Sequence, residues 1–70
     1  MTIQDFINTG IELQGHVSIK CIEEGKIYYD GELFYTKNIR KVLDREITYI
    51  YPYIAEDDFA AICIEIAEKE

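Results

Sequence analysis

The segment EITYIYPYI, Glu46 to Ile54, constrains this chain more than any other. β-Branched and aromatic side chains lose rotamer freedom in a helix and pack well on a pleated surface. The segment therefore predicts a β-strand. Its period of two puts Ile47, Tyr49, Tyr51 and Tyr53 on one face and Thr48, Ile50 and Ile54 on the other. Pro52 donates no backbone hydrogen bond, so the strand belongs at a sheet edge, or ends there. One strand is not a fold, and its partners must be found elsewhere in 70 residues.

They are readable. Val17, Ile19 and Cys21 alternate with Ser18, Lys20 and Ile22 and predict a strand over Gly15 to Glu23. Glu24-Gly25 reads as a hairpin turn with glycine at positive φ, and Lys26 to Tyr35 as the return strand. Asp30-Gly31 interrupts that strand, as a glycine bulge in preference to a second turn. Ile62, Ile64 and Ile66 alternate with Cys63 and Glu65 and predict a last strand from Phe59 to Ala67, in preference to a terminal helix. Ala55 to Asp58 is a polar connector.

Two helical pieces complete the chain. Thr2 is placed to cap a short helix, with Asp5 three residues later, and Ile3, Phe6 and Ile7 make one apolar stripe. Gly10 is placed to end it. KNIRKVLD, residues 37–44, reads as a second short helix capped by Asn38, with Ile39, Val42 and Leu43 as its stripe. The expected architecture is one α+β domain over residues 1–70. It has element order α-β-β-α-β-β and a four-stranded antiparallel sheet with the N-terminal helix across one face.

Charge narrows the function classes. Fourteen acidic residues against seven basic ones give a formal charge of −7. Nucleic acid, heparin and acidic lipid surfaces all demand a basic partner, so direct binding to any of them is not expected. No apolar run reaches the ~20 residues of a membrane-spanning helix, and no signal peptide is visible. Without one, Cys21 and Cys63 are expected as reduced thiols in a cytoplasm. The charge is also uneven. Residues 1–36 carry six acids and two bases, net −4; residues 37–45 carry four bases and one acid, net +3; residues 46–70 carry seven acids and one base, net −6.

Motifs for catalysis are wanting. His16 is the only histidine, and it opens a strand where solvent is its expected environment. No nucleophile elbow or phosphate loop exists. Cys21 shares the inward register of Val17 and Ile19, while Cys63 lies in the opposite, more accessible register with nothing nearby to activate it. Glu56, Asp57 and Asp58 are adjacent and lack the spaced ligands of a calcium loop. The chain is expected to be no enzyme and to need no metal or cofactor.

The tyrosines carry the sharper hypothesis. Six occur in 70 residues, and Tyr49, Tyr51 and Tyr53 stand in a row. Tyrosine provides contact area at low entropic cost and is enriched in binding hot spots, although such rings also serve to cover a small core. Tyr49, Tyr51 and Tyr53 with Glu56, Asp57 and Asp58 form the expected partner-binding surface, suited to a host protein with a basic groove. A rival reading places Arg40, Lys41 and Arg45 at a subunit interface holding a small ligand such as a nucleotide. A third has Tyr49 to Tyr53 pair with a copy of itself in a homo-oligomer.

The stretches TIQDFINTGIELQGHVSI, YYDGEL and LDREITYIYPY resemble small acidic open reading frames of phages and mobile elements of Gram-positive gut bacteria. The likeness covers most of the chain in order and spacing. It implies an accessory protein made in the cytoplasm of a bacterial host. Many small acidic phage proteins antagonise host defence, CRISPR nucleases included, often by filling a nucleic-acid groove. No site motif unites them, so the resemblance assigns no functional residue.

Overall fold

The computed structural model describes residues 1–13, 15–31, 39–54 and 58–69. The fold is α+β, in the order helix α1 (Ile3–Asn8), strands β1 (His16–Cys21) and β2 (Lys26–Gly31), a 3-10 turn (Arg40–Val42), and strands β3 (Ile47–Ile54) and β4 (Ala60–Ile66). Asn38, the continuation of β2 toward Tyr35 and the connector residues 55–57 lie outside the described residues. Within residues 39–44 of the expected middle helix, the described structure is the 3-10 turn Arg40–Val42. Its three residues still deliver Val42 to the core, beside Ile39.

Helix α1 is too short to hold itself together. Two devices replace length. The Thr2 hydroxyl accepts from the Asp5 N–H and the Asp5 carboxylate accepts from the Thr2 N–H, each at 3.0 Å, the reciprocal box read from the sequence. The first-turn N–H groups that a helix leaves unpaired find carbonyls elsewhere. Ile3 donates to Arg45 O (3.1 Å) and Gln4 to Leu43 O (2.9 Å). Gly10 closes the helix at φ 80.

The sheet runs β2-β1-β4-β3. The β1–β2 and β3–β4 pairs are antiparallel, but β1 pairs with β4 in parallel. The sheet is therefore mixed, and the expected all-antiparallel arrangement is corrected. The cause lies in the side chains of the second hairpin. β4 is apolar on both faces, with Ile62, Ile64 and Ile66 on one and Ala61 and Cys63 on the other. A central position buries both. β3 carries Pro52, which a central strand does not accommodate. β4 therefore lies inside and β3 at the edge, and β4 runs parallel to β1.

The core lies on one side of this sheet. Val17 sits opposite Ile62 and Ile19 opposite Ile64. Ile3, Ile39, Val42, Cys21 and Ile66 close around them, all buried. The β1–β2 irregularity falls one turn earlier than Asp30-Gly31. Ile19 opposes Tyr29 and Lys20 opposes Ile27, so Tyr28 is the extra residue. Tyr28 and Tyr29 both pack against the core as a result. Gly31 serves a different need. A Cβ there would lie 3.1 Å from the Tyr29 hydroxyl, which folds back over it.

Cys21 faces the core and Cys63 the opposite side of the sheet, so no disulfide can join them. Both are free and buried. Burial of Cys63 corrects its expected accessibility, and the covering side chains belong to the surface described next.

Candidate partner-binding surface

The side of the sheet away from α1 is built from alternate residues of each strand. β1 contributes His16, Ser18 and Lys20; β4 contributes Ala61, Cys63 and Glu65; β3 contributes Tyr49, Tyr51 and Tyr53, opposite Glu65, Cys63 and Ala61 in turn. Tyr51 and Tyr53 lie down over this side and are half-buried, which is why Cys63, Ser18 and Ala61 are buried beneath them. The Tyr51 hydroxyl donates to Glu65 Oε2 (2.5 Å). Contact with the Cys63 thiol, and next with the Glu65 carboxylate, pushes that hydroxyl's pKa well above the ordinary tyrosine value. Lys20 Nζ stands 5.8 Å from the centre of the Tyr53 ring, within cation–π range. Tyr49 alone of the row stands clear, at 66% exposure.

Ile47 does not share that face, contrary to the strict alternation. A register shift separates it from Tyr49. Ile47 pairs with Ile66 and packs on the core. Thr48 is the inserted residue, and its hydroxyl donates to Glu65 O (3.1 Å). The bulge also resets the hydrogen-bond phase. The Ala67 N–H donates to Glu46 O (2.9 Å), so 46 and 67 are a hydrogen-bonded pair, while the Ile47 N–H turns away to Met1 O (2.8 Å). Hydrogen-bonded and open pairs alternate along an antiparallel ladder. With Thr48 and Tyr49 both spent on Glu65, the bonded pairs become Tyr51/Cys63 and Tyr53/Ala61. Ile50, Pro52 and Ile54 then turn their backbone to the free edge. Without the bulge, Pro52 would aim its missing N–H into β4.

Other sequence-predicted residues are dispersed. Asp58 is exposed, at φ 61, a conformation that Asp and Asn accept. Glu56 and Asp57 lie outside the described residues. Arg40 and Lys41 are exposed on the 3-10 turn, but Arg45 is not with them. At 6% exposure it is buried. Its Nε and Nη2 donate to Ala67 O (2.9 and 2.6 Å), and Nη2 also donates to Glu24 Oε2 (2.8 Å). Tyr28 donates to the same carboxylate, as does the Lys69 N–H (3.1 Å). These bonds fasten residues 67–69 to the β1–β2 turn. His16 is also drawn in from solvent, paired with Asp30 and edge-on to Phe59 at 5.0 Å.

Sequence reasoning missed Lys20 and Glu65 as members of the tyrosine surface. The signal was their shared outward register, which becomes informative only once β1 and β4 are neighbours. Among the described residues, no three His, Cys, Asp or Glu side chains converge as a metal site would require. Among the same described residues, no helix is long and apolar enough to cross a membrane.

The Glu24 cluster makes a pH prediction. Hydrogen bonds from Tyr28 and then the Lys69 N–H, with Arg45 beside it, hold the Glu24 carboxyl below its ordinary value of 4.5. Asp5 is likewise held below 3.8 by its bonds to Thr2. Folding thus favours both ionised forms. Their contribution is intact above the ordinary values and is lost as pH falls through the lowered ones. Urea midpoints are expected to drop between about pH 4.5 and lower pH, and less steeply in Glu24→Gln. Equal loss in both proteins would exclude Glu24 as a source of the acid sensitivity.

No protein-family model, no curated protein and no solved structure matches the chain.

Proposed function

We propose that this chain is a non-enzymatic, acidic binding protein that inhibits or regulates a partner protein by occupying a basic surface of the kind that holds nucleic acid. The observation that carries this reading is the composition of β3. Its eight residues are uncharged and include exposed Tyr49, Ile50 and Ile54, yet carboxylates flank it at Glu46 and at Glu56, Asp57 and Asp58. Tyr49 stands on the tyrosine side of this edge strand and Ile50 and Ile54 on the other side, and uncharged aromatic and aliphatic surface flanked in sequence by carboxylates suits a protein interface. The acidic rim selects a basic partner and speeds its encounter.

Both rivals lose support from particular residues. A nucleotide site needs Arg45 as well as Arg40 and Lys41, and Arg45 is consumed by Glu24 and Ala67. Self-pairing along β3 meets Pro52 at the free edge and brings together two molecules of charge −7. The resemblance to phage accessory proteins makes a bacterial cytoplasm the setting and a host defence protein the class of partner.

The test is capture from bacterial lysate on the immobilised protein, elution in salt steps and identification by mass spectrometry. The expected partner binds nucleic acid, elutes early in the series, and releases its nucleic acid when this chain is added. A captured partner that holds nucleic acid and this chain together excludes the proposed mode, and so does the absence of any captured protein.

A further inference from the structure

We propose that the free edge of β3, with the tyrosine row beside it, is a site for arginine side chains of that partner. The inference rests on the binding-protein reading above and adds the chemistry of recognition.

Three observations on this edge point the same way. The first is an imbalance of main-chain groups. Ile50, Pro52 and Ile54 turn carbonyls outward, but only Ile50 and Ile54 turn an N–H outward. Among the described residues, no strand pairs with that edge. An arriving β-strand needs alternating donors and acceptors and finds a gap at Pro52. A side chain that only donates has no such need. The second observation is that one ring of the row already holds a cation within the molecule: Lys20 Nζ lies over Tyr53 at 5.8 Å. The same chemistry recurs away from this edge, where the Arg45 guanidinium lies over Tyr28 of β2 at 5.3 Å. Tyr49, with two-thirds of its surface free, offers the same kind of ring face to a partner. The third is charge. Residues 46–70 carry net −6 in the sequence; Glu46 is paired with the N-terminal amine at 2.9 Å, but Asp58 and Glu68 are exposed, and the formal charge of −7 favours cations at the surface.

Carbonyls, ring faces and carboxylates share one property: each accepts from or attracts a cationic donor. Arginine suits all three better than lysine. Its guanidinium is planar, stacks on aromatic rings, sheds water more easily, and spreads five donors over a fork with no acceptor. A phosphate-bearing ligand is repelled by the same surface, and a second copy of this chain brings the same excess of acceptors and the same charge. The occupant that fits is therefore an arginine-bearing protein surface, the feature that a nucleic-acid groove displays to phosphates.

The experiment uses the whole chain, isotope-labelled, with hexa-arginine and hexa-lysine as probes at about 0.15 M salt. Amide shifts in two-dimensional NMR are expected to concentrate at residues 48–54. Hexa-arginine is expected to bind about fivefold more tightly than hexa-lysine. Tyr49→Ala removes an exposed ring and leaves the dispersed spectrum intact, and it is expected to abolish the preference for arginine. Equal affinities, or shifts centred on Asp44, Glu46 and Glu68, overturn this inference while a captured groove-binding partner leaves the broader reading standing. Arginine-selective shifts on β3 without any captured partner support this site and count against the broader reading.

Discussion

Replacing Arg45 by Met is expected to lower the melting temperature by about 10 °C or more. Methionine keeps most of the volume, so the change tests the guanidinium and not a cavity. The loss removes the charge-assisted bonds to Ala67 O and Glu24 and the stacking on Tyr28. It also leaves the Glu24 carboxylate without its cation. Breaking one side of a buried pair costs more than the pair contributes when the partner stays desolvated; here the Glu24 side chain is one-fifth exposed and keeps its bonds from Tyr28 and the Lys69 N–H, which limits that part of the cost. About 2 kcal/mol is a conservative figure for lost bonds to a charged group. In a domain of this size each kcal/mol moves the midpoint by roughly 4–8 °C. Arg40→Met is the control, since Arg40 is exposed on the 3-10 turn, and it is expected to shift the midpoint little. Calorimetry on both variants checks the contrast. Equal midpoints would remove the clamp from any account of the fold's stability. A double-mutant cycle with Glu24→Gln then isolates the pair itself.

Neutralising the acidic connector is expected to reduce partner affinity by about tenfold or more at low salt. The variant combines Glu56→Gln, Asp57→Asn and Asp58→Asn. Removing three charges takes the formal charge from −7 to −4. The choice of Asn at 58 follows from the backbone. At φ 61 an asparagine is accepted, whereas Asp58→Lys adds backbone strain to the change of charge. Charge reversal at Asp57 and Asp58 is expected to abolish binding, but only the neutral variant separates electrostatics from folding. Titration calorimetry at two salt concentrations distinguishes the cases. The deficit should shrink as salt rises, because screening weakens binding by the original protein more than binding by the neutralised variant. Unchanged affinity at low salt would remove the acidic-rim argument and leave the tyrosine row as the sole basis for binding.

The elements were legible where local chemistry decides them. Thr2 and Asp5 capped α1, Gly25 turned the first hairpin at φ 64, and the Ile62, Ile64, Ile66 alternation made β4 a strand with those residues toward the core. Neighbour relations were not legible. Periodicity says which face a residue occupies and nothing about which strand lies beside it. The parallel β1–β4 contact and the joining of Lys20 and Glu65 to the tyrosine surface therefore emerged only from the structure. Bulges hide for a related reason. The inserted Thr48 leaves the alternation of Tyr49, Tyr51 and Tyr53 undisturbed while carrying Ile47 to the other side. Arg45 was grouped with Arg40 and Lys41 because the three bases are near neighbours in sequence, whereas its carboxylate partner lies far back in the chain at Glu24. Cys63 was misread because the rings that bury it come from β3.

The sheet order has a consequence for the birth of the molecule. β4 follows the other described strands in the chain, yet it occupies an interior position, between β1 and the edge strand β3. Until it emerges from the ribosome, β1 has one neighbour and β3 has none among the strands. The nascent chain must carry ITYIYPYI unpaired, the kind of segment that invites aggregation, with Pro52 as a breaker within it and Glu46 and Glu56 to Asp58 as flanking charges that keep it apart from other chains. Closure of the long loop between β1 and β4 then completes every contact nearly at once. The carboxylates that flank β3 in the sequence thus have an earlier duty, as a guard on the same strand before it is paired.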